Sequence, residues 1–191
     1  MTRKLLLAAT LAATAAVLQG CVGAAVVGAG TVAVMAEDRR TTGIYVEDEN
    51  IEWKALRRAY DQFSAAHINA TSFNRKLLLT GEVASEAMKT AVGEVMKAIP
   101  SVASVANELT VGGNSSITSR GNDSLITSNV KARLVGNGKV SPGHVKVVTE
   151  AGTVFLMGLV TPAEADAAVQ IARSTSGVSR VVKVFEYLPA S

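Results

Sequence analysis

Apolar positions recur at helical spacing in two separate stretches of the chain. Ile51, Ala55, Ala59 and Phe63 fall on one side of a helix, and so do Ile126, Val130 and Leu134. Each stretch leads into a predicted strand, over residues 68–73 or 145–149. A tight turn follows, at Asn74-Arg75 or at Glu150-Ala151-Gly152, then a strongly apolar strand that runs into Gly81 or Gly158. The next helix of the second stretch opens on Thr161-Pro162-Ala163-Glu164: a capping threonine, a proline at the first helical position and a glutamate placed to close a capping box. Its counterpart, residues 84–99, carries Ala87, Ala91 and Val95 beside a second row of Met88, Val92 and Met96. A last strand is predicted over 105–111 or 181–188. The order αββαβ occurs twice.

The two copies align residue by residue. Gly81 and Val83 match Gly158 and Val160, and His67 matches His144, each at a separation of 77. Val102 and Val105 match Val178 and Val181 at 76, so one residue slips within an otherwise constant register. The units run over 44–111 and 121–188. Residues 112–120, rich in Gly, Asn and Ser, read as a flexible linker, and the polar stretch 37–43 as a spacer. A unit of this size buries a modest α+β core, with two helices on one face of a small three-stranded mixed sheet. The other sheet face is open, either to the partner repeat or to something else.

The first 36 residues follow another pattern. Arg3 and Lys4 are followed by an apolar run over 5–18 and then Gln19-Gly20-Cys21, with no further charge before Glu37. A basic start, an apolar stretch and small residues at a cut site describe a signal peptide over 1–20. Leu18-Gln19-Gly20-Cys21 resembles a lipobox, after which Cys21 carries diacylglycerol and an N-acyl chain. Cys21 is the only cysteine, so it has no internal disulfide partner, and acylation would remove a free thiol from an oxidising compartment. Residues 21–43 then form a Gly/Ala/Val-rich tether. The alternative is that 5–36, left uncut, spans the inner membrane. Val22 rather than Asp after the lipidated cysteine points to the outer membrane, with the protein facing the periplasm.

The element order, the apolar-Gly-x-Val strand end at Gly81-Val83 and Gly158-Val160, and the Val102-Val105 and Val178-Val181 spacing resemble the BON domain. With the lipobox and tether, the whole chain resembles the dual BON-domain outer-membrane lipoproteins, most closely around Asn122-Asp123-Ser124-Leu125-Ile126-Thr127. The resemblance implies a non-enzymatic envelope protein that maintains outer-membrane integrity, whose second domain engages anionic phospholipid through its first helix. It places Leu125 where that pattern has a tryptophan. By position it carries the contact to Leu125, Ile126, Lys131 and Arg133.

Charge refines this picture. Without Arg3 and Lys4 the chain has 17 basic and 16 acidic residues, so a nucleic-acid role has little support. The balance is uneven: 44–112 has seven basic and nine acidic residues, whereas 120–191 has eight and five. Repeat two is therefore the better candidate for an anionic lipid surface. Ile126, Val130 and Leu134 should face the core, leaving Leu125 outside with Lys131 and Arg133 near it. No residue set has the spacing of a catalytic or metal site, His67 and His144 sit at equivalent structural positions, and Glu47-Asp48-Glu49 reads as a solvated helix start. Beyond the acyl groups on Cys21, no cofactor is expected. The competing reading is a periplasmic interaction module for outer-membrane assembly machinery or unfolded clients, using strand edges and the open sheet face.

Overall fold

The computed structural model describes residues 38–113 and 115–189. The expected signal peptide, Cys21 and most of the tether lie outside them. Repeat one consists of α1 (Thr42–Phe63), β1 (His67–Phe73), β2 (Lys76–Val83), α2 (Glu86–Lys97), β3 (Ser104–Asn107) and β4 (Thr110–Val111). Repeat two consists of α3 (Ile117–Asn137), β5 (Val145–Glu150), β6 (Thr153–Val160), α4 (Pro162–Arg173) and β7 (Arg180–Tyr187). In each sheet the central strand pairs antiparallel with the strand before it and parallel with the one after, giving the expected mixed α+β arrangement. In repeat one the last strand is broken: Glu108 and Leu109 interrupt it, and both pieces pair with β2.

Strand alternation divides the core into three clusters. Leu77, Leu79 and Val83 of β2 face Ile51, Ala55 and Ala59 of α1 and Val92 and Met96 of α2. Val154, Leu156 and Val160 of β6 likewise face Ile126, Val130 and Leu134 of α3 and Ala165 and Ala168 of α4. The intervening residues point the other way. Phe73 and Leu78 of repeat one meet Phe155, Met157 and Val184 of repeat two in a third buried cluster. The two sheets therefore pack face to face, with the helices outside.

Polar contacts frame this joint. Lys146 donates to Glu52 at 2.6 Å, Asn69 donates to Glu150 at 2.8 Å, and Asn74 donates to Glu186 at 3.0 Å. The open sheet face is thus filled by the partner repeat, which removes it as a docking surface for other proteins.

Four further expectations need correcting. The linker ends early, because Ser116 caps α3 by accepting from the Ser119 amide, and Arg120 lies within the helix. The spacer before repeat one is tied down on both sides. Arg39 donates to Leu159 O and Glu164 of repeat two, while Arg40 reaches Asp38 and Asp48 and lies 3.9 Å over the Phe73 ring. In α2 only the Met88, Val92 and Met96 row turns inward, and Ala87 and Ala91 are exposed. Finally, Asp48 is buried, because α1 begins five residues before the acidic run and turns that one carboxylate inward.

Candidate functional site

The outer surface of α3 is built by the same residues that hold the helix down. Asp123, buried in the first half of the helix, accepts from the backbone amides of Ala151 and Gly152 and so fixes the hairpin turn. Asp48 does the same in repeat one, accepting from the amides of Asn74 and Arg75 and from the Ser72 hydroxyl. Asn74, Arg75, Ala151 and Gly152 all have positive φ, so these turns need outside anchors. The equivalence of Asp48 and Asp123, one helix aspartate per hairpin, was readable from the duplication but easily mistaken for surface charge.

With Ile126, Val130 and Leu134 turned inward, Leu125 stands 65% exposed. Nearly three helical turns further on, Val135 is 60% exposed on the same outward side, a residue the sequence reading missed. Lys131 and Arg133 flank this strip from its two edges, and Lys139 is exposed just past the helix. Arg133 is partly committed: it donates to the Thr175 and Ser174 hydroxyls at the end of α4. Those hydroxyls leave its charge uncompensated. Ile126 belongs to the core at 3% exposure, so it positions the helix and touches no ligand. Asp123 is the only carboxylate in α3, and it is turned inward. The outer face of α3 therefore carries two separate exposed apolar side chains, cations toward its edges and no carboxylate of its own.

The start of α4 is anchored separately. Glu164 closes the expected capping box with Thr161, and it also accepts from Arg39 and pairs with His144 at 2.9 Å. Burial pushes the Glu164 carboxyl up, but the Arg39, Thr161 and His144 hydrogen bonds outweigh it and hold the group down at about 2. Arg40 shows the same contest: burial pushes it down, and the Asp38 and Asp48 carboxylates hold it above its ordinary value.

The two histidines have structural partners. His67 pairs with Glu82 at 2.9 Å, and its other ring nitrogen meets Asn69, which donates to Glu150. This brings His67, Glu82 and Glu150 within 4.8 Å of one another, a grouping that joins the repeats and that sequence spacing could not reveal. Each of these carboxylates already accepts hydrogen bonds, Glu82 from the Ser115 amide and Glu150 from Thr80. Among the described residues no buried side-chain nitrogen or oxygen lacks a hydrogen-bond partner. Nor is any described helix long and apolar enough to cross a membrane.

Similarity to known proteins agrees with this architecture. The sequence model of the BON domain matches residues 52–113 and 122–189. The outer membrane lipoprotein DolP of Haemophilus influenzae is 40% identical over 174 residues, 90% of each chain. A 21 kDa hemolysin of Actinobacillus pleuropneumoniae is 34% identical and covers 79% of each chain. Osmotically-inducible protein Y of Escherichia coli is 31% identical over 73% of this chain and 72% of its own. Two matches to the domain and two αββαβ units in the fold place the chain in the BON-domain family, with its two domains in tandem.

Proposed function

We propose that this protein is a non-catalytic lipoprotein of the bacterial outer membrane, anchored through Cys21 and facing the periplasm, whose second BON domain docks on anionic phospholipid and helps maintain the envelope. The observation that carries the docking is the outer face of α3. Leu125 and Val135 stand exposed on the outward side, Lys131 and Arg133 lie toward its two edges, and the helix's only carboxylate is buried. Apolar side chains beside cations suit the boundary between headgroups and acyl chains. Each cation adds on the order of 1 kcal/mol near an anionic leaflet. The envelope setting rests on the lipobox-like Leu18-Gln19-Gly20-Cys21 and on the likeness to an outer membrane lipoprotein.

An anchored protein needs only a weak second contact, because the acyl chains hold α3 at high effective concentration beside the membrane. In this reading the lipid chains fix the compartment and α3 selects the patch of membrane. Leu125→Glu and Lys131→Glu, made in residues 38–191, should each weaken association with anionic vesicles by about tenfold or more, while leaving the thermal unfolding midpoint near that of the parent. Unchanged vesicle binding by both variants would remove α3 as the docking element.

A further inference from the structure

The outward face of α1 differs from that of α3 in both size and charge. Trp53 is 63% exposed, Tyr60 77%, Val46 53% and Leu56 44%, half of all the large exposed apolar side chains among the described residues. They lie on one stripe: Val46 and Tyr60 are each seven residues from Trp53, and Leu56 is three beyond it. Asp48, Ile51, Ala55 and Ala59 occupy the opposite, buried side. A cleft of about 240 Å³ continues the stripe past Leu56 and Tyr60, lined also by Phe63 and Ile68. Unlike α3, this face is not basic. Glu49 lies four residues before Trp53 and Arg57 four residues after, and both are exposed. Among the described residues the Glu49 side chain has no ion pair or hydrogen bond, while Arg57 reaches Asp61 only at 3.8 Å and leans over the Trp53 ring at 5.6 Å.

We infer that this face binds a second copy of the same chain, two α1 helices packing antiparallel about a two-fold axis at Trp53. A surface that pairs with itself must place complementary groups at equal distances on either side of the axis. The α1 stripe does so. About Trp53, Val46 of one protomer opposes Tyr60 of the other, and Glu49 opposes Arg57, twice over. The alternation Val46, Glu49, Trp53, Leu56, Tyr60 follows the seven-residue spacing that lets two helices interlock. The cleft at the end of α1 lies where the other copy's first turns, with Val46, would seat. A docking helix for anionic lipid would not carry Glu49 at its centre. Pairing through α1 leaves both α3 faces free, so it is compatible with the lipid reading and independent of it.

The full-length lipoprotein in detergent tests this directly. Sedimentation of the parent should show a dimer that dissociates on dilution. Glu49→Arg and Arg57→Glu should each weaken it roughly tenfold by setting like charges against each other, and the double swap should restore it. Trp53→Cys, in a chain whose only other cysteine is Cys21, should crosslink to twice the monomer mass, and Leu125→Cys on α3 should not. A monomeric parent at all concentrations, or single swaps as dimeric as the parent, would overturn the proposal. So would crosslinking at Trp53→Cys no greater than at Leu125→Cys.

Discussion

At the residue scale, the molecule depends on a few buried charges. Asp48 receives two backbone amides, a hydroxyl and the Arg40 guanidinium, whose side chain is itself only 7% exposed. Among the described residues, Asp123 holds its turn with two amide hydrogen bonds and no cation. Asp48→Ala would remove the turn's anchor and one of the two carboxylates that Arg40 pairs with, leaving Asp38, and should cost more than the loss of the turn contacts alone. Asp123→Ala should cost about 1 to 3 kcal/mol. Urea denaturation of the two variants checks the order. Glu164 supplies a pH dependence. Its folded value of about 2 lies below its ordinary 4.5, so its contribution is complete above pH 4.5 and is lost as pH falls toward 2. Glu164→Gln should flatten the fall in stability over that interval, and a variant that loses stability there as steeply as the parent would contradict the assignment.

At the element scale, most of the secondary structure was legible in the sequence, because period-3.6 and period-2 patterns, two tight turns and a capping box all pointed the same way. The element ends were less so. Ser116 capping α3, and Thr41 accepting from the Ile44 amide to start α1, lie in polar stretches that read equally well as spacer. The surface of α3 was partly legible: Leu125 stood off the core stripe, whereas Val135 near the helix end escaped notice. The aromatic stripe of α1 was less legible, because helical apolar spacing marks the buried side of Ile51, Ala55 and Ala59, and Trp53, Leu56 and Tyr60 lie on the other. The lipid reading makes a gain-of-function prediction for α3. Tryptophan is favoured at the membrane interface where leucine offers only apolar contact, so Leu125→Trp should strengthen binding to anionic vesicles, measured by co-sedimentation. Weaker binding would count against Leu125 as the inserting side chain.

At the scale of the whole molecule, the feature hidden from sequence was the joint between the repeats. Phe73, Leu78, Phe155, Met157 and Val184 occupy alternate strand positions whose destination a single repeat cannot specify. The Gly- and Ser-rich connection left open whether the repeats pack together, and in the fold the sheets share one core. Phe155→Ala should cost about 3 to 5 kcal/mol and separate the unfolding of the two repeats, so that denaturation followed by Trp53 fluorescence, in repeat one, no longer coincides with that of the whole chain. The joint also fixes α3 to a rigid body, with Arg39 tying the end of the tether to Glu164 and Leu159 of repeat two. The tether thus meets the folded module at the repeat that carries α3, and not through repeat one alone.

The most direct test of the account is co-sedimentation of residues 38–191 with neutral and anionic liposomes at low and high salt. Docking through Lys131 and Arg133 predicts binding to anionic liposomes only, weakening as salt screens the charges. Equal binding to both surfaces, binding indifferent to salt, or no binding to either would contradict it.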